Sequence, residues 1–235
     1  MDNADLARRF AALSSANVAD GCLRAGIAVR GGPVGLQAAL PGGRVAGRVA
    51  PARHAGSVDV FLEAIEGAES GDVLVADNGG RLDESCIGDL MVLEAQAAGM
   101  GGIVIWGLHR DTVDVLAIGL ALFSLGSIPT GPLAALDRAD DALRAATVGE
   151  WRVTRDDIVV GDEDGVLFVP ADRADEVFIH AETIRSTEGA QADSIRSGRS
   201  LREQVQFGSY LSRRAQDPAL TFREHLRTVG GEIEV

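Results

Sequence analysis

The stretch Gly88-Asp-Leu-Met-Val-Leu-Glu-Ala-Gln-Ala-Ala-Gly99-Met-Gly-Gly-Ile-Val-Ile-Trp106-Gly-Leu-His109-Arg110-Asp111 decides the fold. Leu90, Met91, Leu93, Ala97 and Ala98 recur at helical spacing and Gly99 stops the run, so the spacing predicts a helix. Ile103 to Trp106 is a short apolar run with β-branched residues, which suits a strand buried in a parallel sheet. The unit reads helix, glycine-rich turn, strand. Its polar residues fall where such a unit exposes backbone: Asp89 where the helix begins, Arg110 and Asp111 where the strand ends. Ligands of open α/β sheets gather outside the carboxyl ends of the strands, and a helix N-terminus offers an anion unpaired N–H groups and a partial positive charge. One segment thus brings together an anion seat at the amides of Leu90 and Met91, a cation at Arg110 and two carboxylates.

The flanking chain extends the same pattern. Residues 4–26 read as helical, with Ser14 or Ser15 capping a helix that carries Val18, Cys22 and Leu23, and with Gly26 ending it. Asn17 and Asp20 on it read as cap or solvated face. Residues 31–47 are rich in Gly and Pro and read as loop and short strand, and Val45 to Val49 as a strand. Arg48, Arg53 and His54 are polar candidates for a cleft. Ser57 to Ala68 predicts a helix with the stripe Val60, Phe61, Ala64 and Ile65, followed by a strand from Asp72 to Asp77. At its carboxyl end the turn Asn78-Gly79-Gly80 lets backbone approach a ligand closely.

Beyond Asp111 the pattern predicts a helix at Thr112–Ile118, a strand at Leu120–Ser124 and a loop from Leu125 to Pro132 bordering the site. Asp157–Val160 and Val166–Val169 flank Gly161-Asp-Glu-Asp-Gly165, a hairpin signal. That acidic turn lacks the twelve-residue calcium loop and its terminal Glu, and reads as a solvated turn. Pro170 opens a helix through Ala171–Arg185 by the first-turn preference of proline. Residues 186–235 are polar and helical in tendency, with Phe207, Tyr210 and Phe222 as isolated apolar anchors and Gly230 to Glu234 as the closing stretch. The organisation expected is one α/β domain over 1–185 and a helical C-terminal arm over 186–235 that packs on a neighbouring subunit.

Composition excludes several chemistries. At 235 residues and 46% hydrophobic content the chain can bury a sizeable core. No apolar run is long enough to span a bilayer, and no signal peptide is visible after Met1-Asp2-Asn3. Cys22 and Cys86 suggest neither a disulfide framework nor a zinc cluster, so the expected compartment is a reducing cytoplasm. A formal charge of −13 argues against nucleic acid, whose binding rests on neutralising phosphates. The sequence contains no lysine. Schiff-base aldolase chemistry, covalent pyridoxal phosphate attachment and a nucleotide-binding P-loop each need a lysine amine. Carbon–carbon cleavage beside a carbonyl would then draw its electrophile from a metal ion.

Asp89, twenty residues, then Arg110-Asp111 resembles the D-x20-R-D signature of the class II 4-hydroxy-4-methyl-2-oxoglutarate aldolases, which share a superfamily with the RraA-type regulators of ribonuclease activity. Leu13 to Asp20, Gly71 to Asp77, Gly126 to Pro132 and Asp157 to Pro170 add to the resemblance. It implies a layered α-β-β-α sandwich of the swivelling-domain type. It further implies a lyase that releases pyruvate from a 2-oxo acid, by retro-aldol cleavage or oxaloacetate-type decarboxylation. In that scheme Asp111 holds Mg²⁺ or Mn²⁺ and Gly88, Leu90 and Met91 seat the substrate carboxylate. Arg110 binds substrate and stabilises the developing enolate, and Asp89 orients water for proton transfer. Glu182 or Glu188 would serve a neighbouring subunit's site in a homotrimer or hexamer. His109 and Trp106 depart from the family pattern, and side-chain alternation turns His109 away from a cleft that Arg110 faces. The alternatives are a non-catalytic RraA-type regulator that binds a ribonuclease complex, and a swivelling phosphohistidine carrier. The carrier needs a reactive histidine in an exposed Gly-rich loop, which neither His54 nor His109 supplies.

Overall fold

The computed structural model describes residues Met1 to Val229, so the closing stretch Gly230 to Glu234 lies outside the described residues. In chain order the elements are α1 (Asn3–Phe10), α2 (Ser15–Arg24), β1 (Arg30–Gly31), β2 (Gln37–Ala38), β3 (Val45–Arg53), α3 (Asp59–Glu66), β4 (Val73–Asp77), β5 (Ser85–Ile87), α4 (Asp89–Ala97), β6 (Gly102–Trp106) and β7 (Leu108–His109). There follow α5 (Thr112–Ile118), β8 (Leu122–Ser124), β9 (Ala145–Val148), β10 (Trp151–Thr154), β11 (Asp157–Asp162), β12 (Gly165–Pro170), α6 (Ala174–Arg196), α7 (Leu201–Gln204), α8 (Phe207–Gln216) and α9 (Phe222–Val229). Residues 1–16 and 28–175 form one compact unit; residues 17–27 and the chain from Glu176 onward form a second.

The first unit is built on an eight-stranded sheet of order β1-β12-β11-β3-β4-β6-β8-β2. Strands β3, β4, β6 and β8 run parallel, whereas β11 and β12 form an antiparallel hairpin joined to the first half of β3. Along β4 and β6 successive side chains point to opposite faces. Leu74, Ala76, Ile103 and Ile105 enter one core with Phe61 of α3 and Val92 of α4. Val73, Val75 and Val104 enter a second, shared with Phe123, Val148, Val159 and Phe168. The second core contains residues of both the parallel strands and the antiparallel hairpin, so the sheet curls until its two halves pack on each other. Burial on both faces is why these strands read as continuous apolar runs.

Three expectations change. Pro170 ends β12 opposite Asp157 and does not open a helix. β1 pairs only with Phe168 and Leu167, so no strand on that side needs an N–H from Pro170. Helix α6 starts at Ala174 and continues past Arg185 to Arg196. The acidic turn is solvated only at its tip. Asp162 is buried, and its carboxylate accepts from Ser15 N at 2.7 Å, Ser15 Oγ at 2.6 Å and Asp164 N at 3.2 Å, tying the hairpin to the start of α2. Within the second unit, Phe207, Tyr210 and Phe222 are not isolated anchors. Their ring centroids lie 5.0–5.6 Å apart, with the buried His225 ring 5.5 Å from Tyr210. No described helix is long and apolar enough to cross a membrane.

Candidate active site

Arg110 and Asp111 do not continue the main sheet. After Trp106 the chain turns at Gly107, whose φ of 153° is open to glycine, and β7 forms a separate parallel ladder with β5. Arg110 N then donates to Ile87 O at 3.0 Å, which sets Arg110 beside the start of α4. A cleft of about 170 Å³ is lined there by Gly88, Asp89, Leu90, Met91 and Arg110, together with Val58, Ser85, Cys86 and Pro132. Five of the six residues singled out in the sequence line one cleft.

The sixth, Asp111, adjoins it through its neighbours. Its carboxylate lies 3.3 Å from Arg110 Nε, and a methyl group on Gly88 would run into that carboxylate and sit 3.2 Å from the same Nε. Gly88 has φ −128°, ordinary extended backbone, so what its missing Cβ provides is room for the Asp111 carboxylate where it stands. Asp111 occupies the N-cap position of α5, yet its side chain makes no capping hydrogen bond and its backbone is left-handed, at φ 57° and ψ 39°. Helix capping therefore does not account for it. Its side chain is 38% exposed and that of Arg110 45%.

Helix α4 begins without a side-chain cap. Its N-cap is Gly88, and Asp89, Leu90 and Met91 are the first helical residues. Their N–H groups precede the first intrahelical bond, from Val92 N to Gly88 O at 3.2 Å, and are free for an anion. Pro132 arrives on the strap from Leu125, fixed by Ser85 N and Ser85 Oγ donating to Thr130 O at 2.8 and 2.7 Å. A Cβ on Gly131 would lie 2.6 Å from Arg110 Nη1, so that glycine leaves the guanidinium its room. Sequence patterning had marked the strap as a border but gave no signal for Val58, Ser85 or Cys86. Burial pushes the Cys86 thiol well above its usual range, which keeps it protonated and inert.

His109 faces away from the cleft and is buried, with Nδ1 2.8 Å from Ser124 Oγ and Nε2 3.2 Å from Thr112 Oγ1. Burial lowers its pKa, opposed by the backbone hydrogen bond to Gly126. Trp106, Arg53, His54 and the Asn78-Gly79 turn line a different and larger cleft of about 620 Å³, beyond the carboxyl ends of β3, β4 and β6. Arg81, Glu84 and Thr147 also line it, and the sequence had not singled them out. Arg48 lies elsewhere, beside Asp156, Asp157 and Asp172. In the second unit Glu188 accepts a hydrogen bond from Asn17 Nδ2 at 3.1 Å.

Among the described residues no group of three or more His, Cys, Asp or Glu side chains could cage a metal ion. Mg²⁺ usually takes one or two carboxylates and keeps several waters, so a half-exposed carboxylate that caps nothing fits a hydrated ion of that kind.

The cleft thus brings together an uncapped helix terminus, an arginine fork and Asp89, with the Asp111 carboxylate beside the guanidinium. A family model described as RraA-like, Aldolase/RraA, matches residues 15–168, and the chain belongs to that family. A protein of Aromatoleum aromaticum named "Putative 4-hydroxy-4-methyl-2-oxoglutarate aldolase" is 32% identical over 129 residues, 54% of this chain and 79% of its own length. A protein of the same name from Albidiferax ferrireducens is 34% identical over 97 residues, 41% of this chain and 55% of that one. Among solved structures, an uncharacterised protein from Pseudomonas syringae pv. tomato superposes with a TM-score of 0.72 at 28% identity, covering 83% of this chain and 94% of its own. RraAS2 of Streptomyces coelicolor, described as an unusual member of the RNase ES inhibitor RraA protein family, gives 0.67 at 27% identity, with 77% and 92% covered. The α/β fold with C-terminal helices is that of the RraA-like proteins.

Proposed function

We propose that this protein is a divalent-metal-dependent lyase that releases pyruvate from a small 2-oxo acid. The observation that carries the reading is the convergence of the free amides of α4, Arg110 and an Asp111 carboxylate unused as a cap. The aldolase names of the relatives support the reaction class.

In this reading the amides of Leu90 and Met91 hold the substrate carboxylate, aided by the positive end of the helix. Arg110 donates to the oxygen that gains negative charge as the enolate forms. A water oriented by Asp89 takes the proton of the 4-hydroxyl as the C3–C4 bond breaks, the bond's electron pair moving into C2–C3, and a proton returned to C3 gives pyruvate. Asp111 would hold Mg²⁺ or Mn²⁺, whose part is to polarise the keto oxygen as a Lewis acid. Decarboxylation of a 3-carboxy-2-oxo acid uses the same enolate and loses CO₂ from C3 instead.

The test is pyruvate release from oxaloacetate and from 4-hydroxy-4-methyl-2-oxoglutarate with Mg²⁺, with Mn²⁺ and after chelation. Turnover should vanish with EDTA and in Asp111→Asn, and fall on the order of 100-fold in Arg110→Gln, the size of one lost oxyanion donor. Metal-independent turnover, or full activity of Asp111→Asn, would rule the scheme out. The likeness to RraAS2 supports a second reading, a protein-binding regulator. Absence of both turnover and Mn²⁺ binding would select it.

Assembly into a trimer or a pair of trimers belongs to the same proposal. Leu90 and Leu93 on α4 and Val113 and Leu116 on α5 are exposed beside the cleft, an apolar surface that a partner copy would cover. A monomer in sedimentation at micromolar concentration would contradict it.

A further inference from the structure

The turn that presents Arg110 and Asp111 is only two residues long, and its left-handed second residue is not a glycine. Such a backbone persists when its surroundings hold it. The ends of the turn are His109 and Thr112, and the His109 ring joins them. Nε2 lies 3.2 Å from Thr112 Oγ1 on the far side of the turn, and Nδ1 lies 2.8 Å from Ser124 Oγ at the root of the strap. Ser124 Oγ also lies 3.2 Å from both the N and the O of Gly126. Its one proton is assigned, from this network, to Gly126 O. Nδ1–H then donates to Ser124, and Nε2 is left to accept the Thr112 hydroxyl proton. The main chain of His109 is pinned as well, its N to Gly126 O and its O to Ile128 N, each at 3.0 Å.

We infer that His109 is a positioning residue, whose ring staples Thr112 to the strap across the Arg110–Asp111 turn and so aims both side chains at the cleft. It acts through Thr112 and touches no substrate. The inference rests on the lyase reading for its catalytic consequence, but the staple itself is testable without it.

Three variants of the full chain separate the parts. Thr112→Val keeps shape and removes the bond across the turn. His109→Gln places an amide near the Nε2 position and keeps that bond, while His109→Asn places one near Nδ1 and keeps only the bond to Ser124. Two readouts are taken: kcat and KM for pyruvate release from oxaloacetate with Mg²⁺, and amide hydrogen exchange of the segment 108–116. In Thr112→Val and His109→Asn, exchange in 108–116 should rise and kcat fall by about tenfold with KM little changed, the size one hydrogen bond can carry. His109→Gln should stay within about threefold of the native protein, since the bond that spans the turn is preserved. Unchanged exchange in Thr112→Val overturns the staple, whatever the activity. Faster exchange with unchanged kcat overturns the positioning role, as does Asn rescuing where Gln fails. If the native protein releases no pyruvate the lyase reading falls, and exchange in Thr112→Val alone decides the staple.

Discussion

Single atoms set the geometry of this site. Gly88 leaves the volume that the Asp111 carboxylate occupies, at a backbone conformation any residue could adopt. Gly88→Ala is therefore expected to leave the fold intact, with thermal unfolding within a few degrees of the native protein, while turning Asp111 away. Measured Mn²⁺ affinity should drop, and unchanged affinity would show that the carboxylate has room elsewhere. Gly131→Val should press on the Arg110 guanidinium and raise KM for the 2-oxo acid, because its Cβ arrives 2.6 Å from Nη1. His109 sets a pH dependence of stability. Burial lowers its folded-state pKa below the ordinary value near 6.5, so on acidification the unfolded chain takes up the proton first. Stability should hold above pH ~6.5 and decline as pH falls from there towards the folded pKa, with His109→Gln flattening the decline. Equal slopes for the two proteins in melts from pH 7.5 to 5.5 would refute the assignment.

At the scale of elements, the sheet is organised by strands with two buried faces. Val104 and Ile105 are both fully buried but belong to different cores, Ile105 under helices α3 and α4 and Val104 inside the curl. Ile105→Ala is expected to cost about 2–5 kcal/mol in denaturant unfolding, with Val104→Ala costing a smaller but clear amount. A strand with one wet face would show one large effect and one near zero. The same double burial explains what was legible in advance. Runs such as Val73–Ala76 and Ile103–Ile105 carry the strand signal themselves, and α4, α5 and the β11–β12 hairpin carried theirs in spacing and turns. Pro170 misled because a proline's fixed φ suits a strand end as well as a first helical turn, and only the short partner β1 decides between them.

For the whole molecule, charge and cysteine usage make the strongest claims. At a formal charge of −13, the anion binding proposed above would have to rely on local cations and helix amides against the chain's own field. Binding of a 2-oxo acid should consequently strengthen as modest salt screens the repulsion, and then plateau. Both cysteines are buried, Cys22 in the second unit and Cys86 in the first, and burial raises the Cys22 thiol to about 11. Thiol reagents should leave the native protein unlabelled and modify both sites in denaturant. Rapid labelling of either in the native state would show that its unit opens readily.

The sequence by itself determined the α/β class, the helix–turn–strand unit at its centre and the absence of lysine, and it singled out the residues of the candidate site: Gly88, Asp89, Leu90, Met91, Arg110 and Asp111. Those follow from period, punctuation and composition, which are local properties of the chain. Tertiary structure alone decided that Arg110 and Asp111 follow the small β5–β7 ladder instead of the end of β6, that Gly88 makes room for a carboxylate, and that Ser85, Cys86 and the strap line the cleft. It also set the His109 ring, turned away from the cleft as side-chain alternation predicts, between Ser124 and Thr112 behind the turn. The reason is physical: these are contacts between segments tens of residues apart, fixed by excluded volume and hydrogen-bond geometry that no local pattern encodes.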